Sequence, residues 1–144
     1  MPGRWSVWHN EAMLKSVMAV LAGLVCALVT ALGLDFVFER LFPKQFGPNG
    51  EVQSIAMLLV ILLYTLASCG FGGWVTAWIA RDRARNSALT LAGLMVALTT
   101  FGMTFVVNPL PLWWRMAGVG LVGPAVVLGG WWSRLRIPSV GSAA

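Results

Sequence analysis

The sequence predicts an all-α integral membrane protein: a single transmembrane domain over residues 1–144, folded as an antiparallel four-helix bundle with an N-in/C-in orientation. Composition is the first reason. The chain is 58% hydrophobic and 10% charged, with a mean hydropathy of +0.80, whereas a soluble domain carries about 25% charged residues. The same arithmetic excludes a disordered chain, which needs low hydrophobicity and high charge, and two cysteines are too few for a disulfide scaffold. The second reason is the distribution of charge, because the ten Lys and Arg and five Asp and Glu fall into short clusters separated by four uncharged stretches. The third is the placing of tryptophan at both edges of the fourth stretch, where amphipathic rings prefer the headgroup level.

The first span is placed at about 13–36. It contains 18 uncharged positions from Val17 to Leu34, which as a helix reach roughly 27 Å against a hydrocarbon core of about 30 Å. Asn10 is expected to cap its start, with Glu11 in the first turn four residues before Lys15. A loop from Glu39 to Ser54 follows, since Pro43 and the run Gly47-Pro48-Asn49-Gly50 interrupt any helix. The second span, about 54–80, is longer than a perpendicular crossing needs and so should tilt. Only Arg81 to Asn86 separates it from the third span at about 87–107, so these two helices are expected to pack as a hairpin. Asn108, Pro109 and Pro111 stop the third helix. The fourth span, about 115–132, is bracketed by Trp113, Trp114, Trp131 and Trp132, and residues 137–144 form a flexible tail.

Orientation follows from the basic residues. Arg4, Lys15, Arg81, Arg83, Arg85, Arg134 and Arg136 share one side of a four-span chain and Arg40, Lys44 and Arg115 the other; seven against three places both termini in the cytoplasm. Ala31-Leu32-Gly33 offers a small-x-small cleavage pattern after the first apolar run, but that run exceeds the 7–15 residues or so of a signal-peptide core, which favours an uncleaved helix. Leu24-Val25 before Cys26 does not suit lipidation, and Cys26 and Cys69 are read as small buried residues within spans. The location expected is a bacterial cytoplasmic, or inner, membrane.

Helices in lipid associate mainly by close packing, so small residues are the first candidates for contacts. Ala19, Gly23, Ala27 and Ala31 recur every four positions in the first span, and Ser68, Gly72, Thr76 and Ala80 do so in the second. These two stripes are expected to be helix-packing faces. Gly70, Gly72 and Gly73 weaken the second helix locally, at about 1 kcal/mol each relative to Ala. Pro124 crowds the carbonyl one turn earlier, at Gly120, and a kink is expected there.

Chemistry is sparse. A transporter normally buries an ionisable group at mid-membrane, and the spans offer only Ser, Thr, Cys and Tyr64 as polar side chains. Asp35 and Glu39 lie four residues apart at the outer end of the first span and could bridge a divalent cation, but two solvated carboxylates beside Arg40 or Arg115 are the simpler reading. His9 is the single histidine, too few for a haem or histidine-rich metal site. No Ser-His-acid set, phosphate-binding glycine loop or Cys-x-x-Cys is present, so no catalytic, cofactor-binding or metal site is expected, and no enzyme. Arg81, Arg83 and Arg85 suit anionic lipid headgroups at about 1 kcal/mol each. They also orient the chain, and they are too few to argue for nucleic acid.

The run Gly72-Gly73-Trp74-Val75-Thr76-Ala77-Trp78-Ile79-Ala80 and its basic loop resemble the junction of the second and third spans in a family of small, uncharacterised four-span bacterial inner-membrane proteins. Pro111-Leu112-Trp113-Trp114, Gly123-Pro124-Ala125 and Leu128-Gly129-Gly130 resemble their fourth span. Members often carry a histidine at the start of the third span, where this chain has Asn86-Ser87. The resemblance covers the C-terminal half and implies the four-span fold without implying an activity. Three functional classes remain open. The leading one is a structural or accessory protein, either a homo-oligomer or a partner of another membrane protein, in contact with membrane lipids. The second is an oligomeric transporter or channel similar in size to the small multidrug transporters, although the embedded Glu of their first span has no counterpart here. A lipid-modifying enzyme ranks third.

Overall fold

The computed structural model describes residues 4–45, 52, 54–81, 84–105 and 110–135, with side chains described for 13–44, 52, 54–81, 84–104 and 110–133. It is all-helical. The elements are α1 (Arg4–Leu41), a short 3-10 turn (Pro43–Gln45), α2 (Ile55–Ala80), α3 (Ala84–Phe105) and α4 (Leu112–Leu135), and all four α-helices contain a stretch long and apolar enough to cross a membrane. The Gly47–Gly50 turn, Glu51, Asp82, Arg83, the Asn108-Pro109 stop, Arg136 and the tail lie outside the described residues.

Several boundaries differ from the sequence expectation, α4 among them, which runs from Leu112 to Leu135. α1 begins at Arg4, so Asn10 is an interior helical residue and does not cap the helix. At the other end α1 continues to Leu41, which puts Asp35 and Glu39 on one unbroken helix. α3 begins at Ala84, so Arg85 and Asn86 are helical and do not belong to the connection. That connection is tight: Arg81 closes α2 with φ 34°, its N–H bonded to the carbonyl of Ala77, a left-handed backbone value uncommon for a non-glycine residue. Pro124 sits inside α4, which continues through it as one helix.

α2 is the centre of the bundle. Its most extensive interface is with α4, followed by that with α1; α3 packs chiefly on α4 and touches α2 less. The short connection leads to an expected α2–α3 hairpin, and the two helices do touch, while the glycine-rich seam described below makes α4 the larger partner of α2. Along α1 from Ala19 to Asp35, the partners on α2 run backward from Thr76 to Tyr64. Along α2 from Leu58 to Gly73, the partners on α4 run forward from Trp114 to Val126. Where the helices converge lies one apolar cluster containing Val20, Ala27, Cys69, Leu91, Val122 and Val126. Leu91 and Val126 have no solvent-accessible surface at all. Most other large apolar side chains, among them Leu63, Phe101, Leu112 and Trp131, point outward, as expected when the surrounding solvent is hydrocarbon and lipid tails are as apolar as Leu.

Candidate functional site

The α1–α2 seam brings together most of the small residues singled out by their four-residue spacing. A Cβ at Gly72 would lie 2.6 Å from the carbonyl oxygen of Gly23 and 2.8 Å from the Cβ of Ala27, and a Cβ at Gly23 would overlap the hydroxyl of Thr76. Thr76 itself donates across the seam to the carbonyl of Ala19 at 3.2 Å. Ser68 is buried but turns its hydroxyl to the carbonyl of Tyr64 in its own helix, at 2.8 Å. Ala31 and Ala80, at the ends of the stripes, are half-buried.

A second seam, between α2 and α4, uses the glycines that sequence reasoning treated only as weak points. A Cβ at Gly73 would overlap the carbonyl of Val126, and one at Gly129 would overlap the carbonyl of Gly70. Gly130 faces the Cβ atoms of Ala88, at 2.9 Å, and Ala77, at 3.7 Å, from its own absent Cβ. The signal was present in the spacing of Gly70-x-x-Gly73 and the pair Gly129-Gly130, but only the helix register shows that they face one another. Above this seam the indole N–H of Trp114 donates to the carbonyl of Leu58 at 3.0 Å.

The end of the bundle reached by Asp35 carries its most distinctive polar contact. The Tyr64 hydroxyl donates to Oδ1 of Asp35, and the Tyr64 ring lies on that of Phe38 at 5.1 Å and 8°. Arg40 lies 5.0 Å above the ring of Phe36, a cation–π geometry. Asp35 is therefore tied to α2, whereas the sequence reading left it as a solvated carboxylate. Among the described residues no three His, Cys, Asp or Glu side chains converge to hold a metal ion. Cys26 and Cys69 are free thiols.

The opposite end carries Lys15, Arg81 and Arg85, all exposed; the side chain of Arg134, like Arg83 and Arg136, lies outside the described residues. Two grooves open beside this end. One, of about 390 Å³, runs between α3 and α4 and is lined by Arg85, Ala88, Val127 and Trp131. The other, of about 330 Å³, runs between α1 and α3 and is lined in part by Val17, Val20, Asn86 and Ser87.

One further surface was not anticipated. Gly93, Ala97, Thr100 and Thr104 lie on one face of α3 at spacings of four, three and four residues, and all are exposed. Beyond its own stretch of helix, nothing lies within 4 Å of the Cβ position at Gly93. Thr100 and Thr104 bond back to the carbonyls of Val96 and Thr100, at 2.8 and 2.7 Å. The spacing was legible; which way the face pointed was not, because α3 has small residues on both sides.

The chain matches no family model, no curated protein and no solved structure. The fold defines its class, a multi-pass α-helical membrane protein with four candidate spans.

Proposed function

We propose that the protein is a structural or accessory component of a bacterial inner membrane, without catalytic role, whose α3 face packs on a helix of a second copy or of another membrane protein. The observation that carries this reading is the row Gly93, Ala97, Thr100 and Thr104, exposed on the bundle. Lipid-facing surfaces are well served by Leu, Ile and Phe, as on the outside of α1 and α2, whereas small residues at helical spacing allow two backbones to approach closely. The proposed topology is an up-and-down bundle, N-in/C-in, with sequential neighbours antiparallel. It is supported by the backward run of α1–α2 partners and by the excess of Lys and Arg at the end that carries Lys15, Arg81 and Arg85.

The test is the mass of the particle extracted with its native lipid, for the natural chain and for the double variant Gly93→Leu, Ala97→Leu. The natural chain should leave the membrane as a complex, with itself or with an unlike subunit. The double variant should be monomeric with unchanged helical content, since both positions are exposed. A natural chain that is monomeric at every concentration in lipid overturns the proposal. So does a symmetric oligomer whose liposomes conduct or transport, which would establish the transporter reading.

A further inference from the structure

We propose that the groove between α3 and α4 holds one anionic glycerophospholipid, with its phosphate on the Arg85 guanidinium and an acyl chain lying between Leu89 and Val127. The site shares no residue with the α3 packing row proposed above, so the two readings stand or fall separately.

The groove follows from residue size. α3 and α4 run antiparallel: the Cβ position of Gly130 lies 2.9 Å from the Cβ of Ala88, that of Gly123 lies 3.3 Å from Cγ2 of Val96, and that of Gly118 lies 2.8 Å from Cε of Met103. Near the basic end the contact line is made of small buried residues, Ala84 and Ala88 on α3 and Gly130 on α4. Larger side chains flank this line and stand as walls, with Leu89 49%, Val127 38% and Trp131 61% exposed. They enclose a volume of about 390 Å³, and Arg85, itself exposed, completes the lining as its one charged residue.

These residues are ordered in depth. α3 starts at Ala84 and α4 ends at Leu135, so depth increases with residue number on α3 and decreases with it on α4. Arg85 and Trp131 stand at the mouth, where a guanidinium meets lipid phosphates and an indole ring prefers the headgroup level. Leu89 lies four residues past Arg85, and Val127 four before Trp131, each about 6 Å deeper. No lining residue below the mouth has a polar side chain. This order holds whichever face of the membrane the basic end occupies.

Shape and charge together select the occupant. Closely packed helices have axes about 8 Å apart, and the space above their contact line suits a single hydrocarbon chain. A third helix, about 10–12 Å across with its side chains, would rest on Leu89, Val127 and Trp131 and leave the floor uncovered. Arg85 adds the second condition, because its forked donors match a phosphate in bidentate geometry. Lys15 and Arg81 at the same end favour a headgroup of net negative charge over a zwitterionic one. A phosphate joined to an acyl chain meets both conditions at once. The sequence offers Arg81, Arg83 and Arg85 alike to headgroups, and the groove singles out Arg85.

The experiment titrates phosphatidylglycerol, or phosphatidylcholine with the same chains, onto the delipidated full-length protein and counts bound lipid by native mass spectrometry. The ratio of the two lipids within each protein cancels any general effect of a substitution on folding. The natural chain should prefer phosphatidylglycerol several-fold. Arg85→Gln should reduce that preference about fivefold, the weight of one basic side chain near a charged headgroup, while Arg81→Gln, outside the groove, should retain most of it. Val127→Trp, which fills the groove from an exposed position, should abolish the preference with both arginines in place. Glycerol 1-phosphate, an anion without acyl chains, should not displace the bound lipid. A natural chain that does not distinguish the lipids overturns the proposal, and equal losses in the two arginine variants would do so by showing a general attraction of the basic end for anions. A preference that survives Val127→Trp, or displacement by glycerol 1-phosphate, would show that no acyl chain is held and would also overturn it. So would a Val127→Trp variant that changes the oligomeric state and leaves the lipid count alone, since a second protein chain would then fill the groove.

Discussion

Gly73 of α2 lies against the carbonyl of Val126 on α4 so closely that a Cβ at this position would overlap the oxygen. Its counterpart one turn away, Gly129 against the carbonyl of Gly70, reverses the roles of the two helices. Each helix thus supplies a glycine to admit the other's backbone. In lipid, where no hydrophobic drive brings helices together, this close approach is what dispersion and backbone contacts need. Gly73→Ala should therefore destabilise the bundle by about 1–3 kcal/mol, the usual cost of overpacking, because neither backbone can yield as a flexible side chain would. Reversible unfolding in mixed micelles reads this directly. A variant as stable as the natural chain would show that α2 and α4 are not held at this separation.

Gly120 provides the opposite expectation. It lies in the same helix as Gly129, but nothing stands within 4 Å of its Cβ position. Gly120→Ala should leave the packing intact and gain up to about 1 kcal/mol from helix propensity and the lost freedom of the unfolded chain. Stabilisation here and destabilisation at Gly73, in the same assay, would separate the contact from the residue type.

How much of this was readable beforehand depended on whether a feature is local. The four spans were legible because charge and hydropathy act along the chain: no Lys, Arg, Asp or Glu interrupts Val17 to Leu34, and none interrupts Ile55 to Ala80. The pairing of Gly23 with Gly72 was approachable because both stripes keep a four-residue period. The seam of Gly73 with Val126 was not, since its partner is a valine carbonyl, and every residue has a carbonyl. Tyr64 meeting Asp35 likewise needed α1 to continue past the point where its apolar run stops, which depends on packing and not on composition.

Thr76 reports on the α1–α2 seam. Its hydroxyl reaches the carbonyl of Ala19 on the neighbouring helix, 3.2 Å away, from a position without solvent exposure. Thr76→Val keeps the shape and removes the donor. The expected loss is about 0.6 kcal/mol, the average for interhelical hydrogen bonds measured in a membrane protein, with no change in oligomeric state. A loss several times larger would mean that the hydroxyl is needed for α1 to dock at all.

The Tyr64 and Asp35 pair should behave as a unit. Hydrogen bonds to a charged acceptor contribute roughly 1.5–3 kcal/mol, and this one joins the far end of α1 to α2. Tyr64→Phe retains the ring that stacks on Phe38 and removes only the hydroxyl; Asp35→Asn retains the shape and removes the charge. In a double-mutant cycle the two effects should be non-additive by more than about 0.5 kcal/mol, the limit seen for independent sites. Strict additivity would mean that the contact contributes nothing to holding the helices.

Trp114 fixes the start of α4. Its indole N–H donates to the carbonyl of Leu58, 3.0 Å away near the start of α2, so the two helices are tied at the end opposite their glycine seam. The tie matters because the first turn of a helix has no earlier residues to hold its N–H groups, and α4 compensates only in part, through the bonds from Trp114 and Arg115 to the carbonyl of Pro111. Trp114→Phe keeps an aromatic ring at the membrane edge and deletes the donor. Amide exchange should accelerate over Trp113 to Ala117 and stay unchanged around Val126 and Gly130, where packing on Gly73 and Ala88 holds the helix independently. Uniform acceleration along α4 would show instead that the indole bond, and not the glycine seam, keeps this helix in the bundle.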